Sequence, residues 1–209
     1  MEKKDFKKIY KELYTASITP KLVTVPPLQF ISITGEGNPN TSKMFADAVT
    51  TLFPVAYTLK FMIKKGETPL SPADYNVMPL EAQWWADNME DFISRNKDTW
   101  KWKVQLFMPD FVTEEILALA IEKVRKKKSL AMLDSLKLET ISEGTSAQIM
   151  HFGSYDTEMP TIQALHSFIK ANGGKLSGLH REIYLNDFRK VAPEKLKTII
   201  RQPYINLST

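Results

Sequence analysis

Leu179-His180-Arg181-Glu182-Ile183-Tyr184-Leu185 is the stretch whose reading decides the fold. Apolar residues recur at Leu179, Ile183 and Leu185, the period of two that marks a strand. The alternate positions then place His180, Glu182 and Tyr184 side by side on the opposite face. A carboxylate between an imidazole and a phenol is either a solvated strand face or the floor of a polar-aromatic pocket.

Working outward, Ala147 to Phe152 reads as a strand, Gly153-Ser154-Tyr155-Asp156 as a loop, and about Thr157 to Ala171 as a helix. Ile162, Leu165, Phe168 and Ile169 face inward on that helix, and Gly173-Gly174 ends it. Beyond the opening strand, Leu196 to Ile200 supplies another. The same order of strand, glycine loop, helix, strand, strand occurs earlier, over about 28–107. There Leu28 to Thr34 is followed by Gly35-Glu36-Gly37-Asn38-Pro39-Asn40, with Asn40 or Thr41 as a helix cap. A helix from about Ser42 to Lys65 carries the stripe Phe45, Val49, Leu52, Ala56, Leu59 and Ile63, and Pro54 should kink or divide it. Tyr75 to Trp85 and Trp100 to Phe107 read as strands, separated by the polar stretch Asp87 to Asp98.

The copies share pattern and little residue identity. Helices that cover one side of a sheet leave its other side free. The expected fold is therefore α+β: duplicated strand-helix-strand-strand modules with pseudo-twofold symmetry, their antiparallel sheets around a central cleft. A single domain over 1–209 would comprise an N-terminal helix at 1–20, a first module at about 22–110, a connecting helix within 111–135 and a second module at about 136–209. Phe6, Ile9, Tyr10, Leu13 and Tyr14 share a face of the first helix, and Thr113 caps the connecting one.

Composition removes several function classes. The chain has 209 residues, 43% hydrophobic and 25% charged, as in ordinary globular proteins. It has no cysteine, which excludes disulfides and thiolate chemistry. No apolar run approaches the roughly 20 residues of a membrane span, and the charged start lacks a signal-peptide core. A cytoplasmic location with no membrane association is expected. The net charge of +4 owes much to Lys123-Val124-Arg125-Lys126-Lys127-Lys128. That cluster suits a helix C-terminus, and no nucleic-acid-binding motif accompanies it. His151, His166 and His180 lack metal-site spacing, with His166 read as a helix-surface residue and His151 and His180 as possible neighbours across strands. Neither a metal nor a cofactor is expected.

Glu81 stands in the first copy where Glu182 stands in the second, on a strand face with Gln83 and Trp85. A carboxylate walled by aromatic rings suits a flat or cationic ligand. Desolvation there would raise the carboxyl pKa towards neutrality. Trp84 and Trp85 point to opposite faces, so one enters the core and the other faces a groove or solvent.

Several segments carry a resemblance when taken together: Val25-Pro26 with Gly35-x-Gly37-x-Pro39-Asn40, Tyr57-Thr58-Leu59-Lys60-Phe61, Pro79-Leu80-Glu81 with Trp84-Trp85, Pro109-Asp110-Phe111-Val112-Thr113, Glu143-Gly144, Gln148-Ile149-Met150-His151-x-Gly153-x-Tyr155-Asp156, Glu182-Ile183-Tyr184-Leu185, and Pro193-Glu194-Lys195-Leu196-Lys197-Thr198. The chain resembles the stand-alone GyrI-like small-molecule-binding proteins of bacteria over nearly its whole length. That resemblance implies hydrolysis of cyclopropane-bearing, DNA-alkylating natural products, with small aromatic or cyclopropane-bearing molecules as partners and no direct nucleic-acid binding. It implies Glu182, Tyr155 and His180 as catalytic residues and Trp84, Trp85, Glu81, Tyr57, His151 and Tyr184 as ligand-binding residues. A non-catalytic module sequestering aromatic or cationic drugs, or a regulatory effector-type protein, is the alternative. The chain departs from the family in having Arg181 where a second histidine is frequent, and Asn186-Asp187-Phe188 where Ser-Asp-Pro is frequent.

Overall fold

The computed structural model describes residues 3–88, 94, 96–187 and 190–207. Part of the polar stretch Asp87 to Asp98, and Phe188 of the departing turn, lie outside them. In chain order the elements are β1 (Lys3–Lys4), α1 (Phe6–Ile9), β2 (Lys21–Val25), β3 (Leu28–Glu36), α2 (Lys43–Lys64), β4 (Asp74–Tyr75), β5 (Leu80–Trp85) and β6 (Lys101–Met108). They continue with α3 (Glu114–Arg125), β7 (Lys137–Ile141), β8 (Gly144–Phe152), α4 (Met159–Ala171), β9 (Gly174–Leu176), β10 (His180–Tyr184) and β11 (Lys197–Asn206). The fold is α+β, with long strands paired antiparallel.

The chain packs as two compact units. The first comprises Met1–Ile9, Leu28–Met78 and Trp84–Ile141. Its strands run in the order β6-β3-β7, and α2 packs on β3 and α3. Leu52, Val55, Ala56, Leu59 and Ile63 are buried on α2, with Ile31, Ile33, Val104 and Leu106 buried on the strands. Ser42, one residue beyond the expected caps, accepts a hydrogen bond from the Phe45 backbone. Pro54 lies inside α2 and does not divide it. Helical residues on both sides of the proline belong to this buried face, whose packing outweighs the one hydrogen bond proline removes. The expected strand from Tyr75 to Trp85 is two, interrupted before Pro79. At the end of α3, Lys123 pairs with Glu67 and Arg125 with Glu122 and Asp134.

The second unit comprises Tyr10–Pro27, Pro79–Gln83 and Ser142–Thr209. Its strands run β2-β8-β11-β10. With the short strands β4 and β9 set aside, the order β3-α2-β5-β6 recurs as β8-α4-β10-β11, the strand-helix-strand-strand order expected from the sequence. Under α4, a core forms from Ala147, Ile149, Ile162, Leu165, Ile169, Ile200 and Tyr204.

Residues 1–20 do not form the expected long helix. Helix α1 is four residues long, and Ile9 is 58% exposed rather than part of a buried stripe. The main chain that follows is held from far away. Gln148 Nε2 donates to the Glu12 and Thr15 carbonyls at 2.7 and 2.9 Å, and Arg201 Nη2 donates to the Leu13 carbonyl at 2.5 Å. These carbonyls are the ones a continuing helix would use, so tertiary donors replace the helical ones.

Candidate functional site

Strand β10 is buried on both faces, and the two faces differ in kind. Register pairs Glu182 with Ile200 and Arg181 with Arg201 across to β11. Ile200 belongs to the core under α4, so the His180-Glu182-Tyr184 face is the one α4 covers. The opposite face carries Arg181.

On the α4 side, His180 Nε2 lies 3.3 Å from Glu182 Oε1, and the Tyr184 hydroxyl donates to Glu182 Oε2 at 2.6 Å. The side chains of His180 and Glu182 are 6% and 12% exposed. Burial works against the charge on Glu182, but His180, the Tyr184 hydroxyl and the Glu158 carboxyl outweigh it and hold its pKa below the usual range. This corrects the expectation that desolvation would dominate and raise it: hydrogen-bond donors surround the carboxylate, so Glu182 is held ionised. Burial, and then the Glu182 charge, push the Tyr184 pKa well up, so its phenol stays a donor. Tyr155 stands edge-on to Tyr184, ring centroids 5.6 Å apart, and burial with the same carboxylate raises its pKa too.

Two neighbours of this cluster have no reading as site residues in the sequence. Glu158 is 4% exposed at the start of α4, and its carboxyl is among the groups that favour the charge on Glu182. His166, expected on the helix surface, is half-buried instead; burial and the nearby His180 lower its pKa. Its spacing of four from Ile162 was a signal for that inward face.

His151 clamps the loop ahead of α4. Its Nδ1 is 3.0 Å from Thr161 Oγ1, and its Nε2 is 3.1 Å from the Ser154 carbonyl and 3.3 Å from Thr157 Oγ1. It does not meet His180: His151 pairs with Thr198, which pairs with Tyr184 at the other end of β10. The ring that fixes Ser154 and Thr157 thereby fixes Tyr155 between them.

Glu81 lies in a different environment from Glu182. Its Oε2 accepts from Arg181 Nη1 at 2.6 Å, and its Oε1 accepts from the Tyr14 hydroxyl at 2.6 Å. Arg181 Nε also donates to Glu143 Oε1 at 2.5 Å, and Arg201 Nη1 donates to Glu143 Oε2 at 3.3 Å. Arg201 Nε reaches Gln148 Oε1 at 3.0 Å. Two arginines directly opposite each other across strands would repel. Here two glutamates neutralise them, and all four side chains are at most 3% exposed. Glu81 is thus engaged on the Arg181 face of β10, away from Glu182.

The tryptophans belong to the first unit. Trp84 is 5% exposed, stacked 5.7 Å from Phe45 and edge-on 5.9 Å from Trp100, while Trp102 meets Phe45 edge-on at 5.1 Å. Trp84 is therefore the core-facing member of the Trp84-Trp85 pair, and Trp85 is half-buried. Tyr57 is 47% exposed on α2, its ring 6.4 Å from Phe61. Among the described residues no His, Asp or Glu cluster is arranged to hold a metal, and no helix is long and apolar enough to cross a membrane.

Comparison with known proteins gives this geometry a family. No curated protein matches the chain. An uncharacterized conserved protein from Listeria innocua matches with TM-score 0.89 at 39% identity, over 96% of this chain and 99% of that one. A hydrolase encoded by lin2189 from Listeria innocua matches with TM-score 0.86 at 38% identity, over 98% of this chain and 100% of that one. The C-terminal domain of EcmrR matches with TM-score 0.56 at 14% identity over 90% and 98%, a likeness of fold alone. The GyrI-like small molecule binding domain matches residues 18–204. With the fold and these matches in agreement, the chain belongs to the GyrI-like family of small-molecule-binding proteins.

Proposed function

We propose that the protein is a detoxifying hydrolase that opens cyclopropane rings of DNA-alkylating natural products by adding water. The observation that carries this reading is Glu182, a buried carboxylate held ionised by His180 and Tyr184 in a chain 38% identical to a hydrolase. Glu182 takes a proton from a water whose oxygen bonds to the unsubstituted cyclopropane carbon. The strained carbon–carbon bond breaks, and its electron pair enters the conjugated ring and aromatises it to a phenolate. Tyr155 or His180 polarises the carbonyl that becomes this phenolate and supplies its proton. A carboxylate held in its charged form is a weak base, so orientation and the driving force of ring opening contribute much of the acceleration. The family resemblance proposes Trp84, Trp85, Tyr57, Glu81, His151 and Tyr184 as the ligand-binding set, and of these Trp84, Trp85, Tyr57 and Tyr184 keep that proposed role. On this geometry, His151 and Glu81 act by fixing the surrounding structure.

The test is incubation with a cyclopropane-bearing alkylator, followed by separation of intact and ring-opened compound. Wild type should yield the phenol, and Glu182→Gln should lower kcat by roughly 10²–10⁴-fold, the usual worth of a general base. Equal rates for wild type, Glu182→Gln and buffer would refute the enzyme reading. The charge on Glu182 also favours a second reading, in which it is the counter-charge for a flat cation. Then ligand is recovered intact, and Glu182→Gln weakens cations while sparing neutral compounds.

A further inference from the structure

His151, Thr198 and Tyr184 form one row across β8, β11 and β10: register pairs His151 with Thr198, and Thr198 with Tyr184. Directly opposed residues share a sheet face, so the imidazole and the Tyr184 phenol stand on one face, two strand spacings or about 10 Å apart. Tyr155 closes that gap. It belongs to the short turn Tyr155–Thr157 ahead of α4, and its ring meets the Tyr184 ring edge-on at 5.6 Å. Where Tyr155 stands therefore depends on what holds this turn.

The bonds that hold it converge on one carbonyl. The Ser154 carbonyl accepts from the Thr157 backbone N–H at 3.0 Å, from the Thr157 hydroxyl at 2.8 Å and from His151 Nε2 at 3.1 Å. A carbonyl oxygen only accepts, so His151 Nε2 carries the ring proton. Thr157 Oγ1, whose own proton goes to Ser154, accepts from the same Nε2–H at 3.3 Å. Nδ1 is then the acceptor of the neutral ring, and the Thr161 hydroxyl on α4 donates to it at 3.0 Å. Among the described residues that hydroxyl makes no other hydrogen bond. The imidazole is buried, so protein groups supply its partners on both sides. Gly153 permits the close approach: its φ is +127°, and a Cβ there would lie 3.0 Å from Thr157 Oγ1 and 3.4 Å from His151 Nε2.

We propose that His151, as its Nε2–H tautomer, is the positioning residue for Tyr155. It ties the turn to β8 through Ser154 and Thr157, and to α4 through Thr161. The Tyr155 ring is thereby set against Tyr184, whose hydroxyl holds Glu182. His151 acts through Tyr155 and not on the substrate.

This inference rests on the hydrolase reading for its turnover readout only. Two readouts need no substrate. In ¹⁵N NMR of the whole chain at about pH 8, where histidines are ordinarily neutral, His151 should be the Nε2–H tautomer. Thr161→Val should move its Nδ1 resonance, because an accepted hydrogen bond is lost. With ¹³C-labelled tyrosine rings, and Tyr155→Phe to assign the signals, His151→Leu should shift Tyr155 towards its unfolded-chain values as the ring current of Tyr184 is lost. Thr161→Val, of nearly the same volume as wild type, should shift it the same way by less. His151→Gln, which keeps an N–H donor near the Nε2 position, should restore it. An Nδ1–H tautomer, or Tyr155 signals that stay in place in the folded variants, would overturn the proposal. In turnover, His151→Leu should lose roughly ten- to a hundredfold in kcat with KM little changed, the cost of a misplaced group, and His151→Gln should recover most of it. Added to Tyr155→Phe, His151→Leu should cost little more, because the residue it positions has already lost its hydroxyl. No loss with His151→Leu, or the same loss in both backgrounds, would overturn the proposal. Absence of turnover in wild type defeats the hydrolase reading and leaves the NMR results to decide this one.

Discussion

Arg181→Met tests the buried ion network directly. The guanidinium is 1% exposed and holds Glu81 at 2.6 Å and Glu143 at 2.5 Å. Methionine keeps much of the apolar stem, so the variant removes the charge and its donors with little loss of packing. What remains is two buried carboxylates against the single guanidinium of Arg201, with Glu81 still accepting from Tyr14. Removing one partner of a buried pair costs about 3–5 kcal/mol, because the other charge is left without compensation. With a urea dependence of about 2–3 kcal/mol per molar, a loss of about 4 kcal/mol lowers the midpoint by roughly 1.5 M. Urea denaturation followed by far-ultraviolet circular dichroism reads this, with tryptophan fluorescence as the second probe. All four tryptophans lie in the first unit, so the two probes together also test whether one transition describes the chain. Adding Glu81→Gln to Arg181→Met removes one of the stranded charges and should recover part of the loss. A midpoint shift below about 0.3 M, or a double variant less stable than the single, would refute the account.

Two further perturbations separate the site from the scaffold. Glu182 is ionised more readily in the folded chain than in the unfolded one, so its contribution to stability is present above the ordinary glutamate pKa of about 4.3 and is lost as pH falls through the lower folded value. Stability of Glu182→Gln should therefore fall less steeply than wild type below about pH 4.3, and parallel acid curves would contradict the charge assignment. Gly35→Ala would set a Cβ against Trp102 Cη2 and 2.8 Å from Met44 Sδ. Trp102 is fully buried, so overpacking should cost about 1–3 kcal/mol; an unchanged melting temperature and emission spectrum would argue against that packing.

Much of the fold was legible because its signals are local. The alternation at Leu28 to Thr34, the stripe from Leu52 to Ile63 and the glycines after α4 each act within a few residues. The N-terminal segment misled for the opposite reason. Its apolar spacing suits a helix, but Gln148 and Arg201 take carbonyls more than 130 residues away in sequence, and no window shows such donors. Glu158 was hidden in a similar way. A glutamate before Met159-Pro160 reads as an ordinary helix-start acid, and its influence on Glu182 depends on where β10 lies.

The two glutamates at matching places in the repeated pattern show most clearly what alternation can and cannot decide. Period two correctly put Arg181 and Glu182 on opposite faces, but it could not say that both faces are buried. The apolar face of Leu179 and Ile183 was expected to hold the core, yet it also holds Arg181, which a sequence reading assigns to solvent by default. Arg201 sits opposite Arg181, and Glu143 and Glu81 must be there to neutralise the pair. That requirement commits Glu81 to structure. Glu182, on the other face, is met by an imidazole and a phenol, neither of which carries a fixed opposite charge as arginine does. Glu81 is held by the fixed charge of the Arg181 guanidinium and by the Tyr14 hydroxyl, while Glu182 is held by an imidazole and a phenol that can themselves give and take a proton. The difference in partners, rather than the repeated position, is why the proposed chemistry is placed on Glu182.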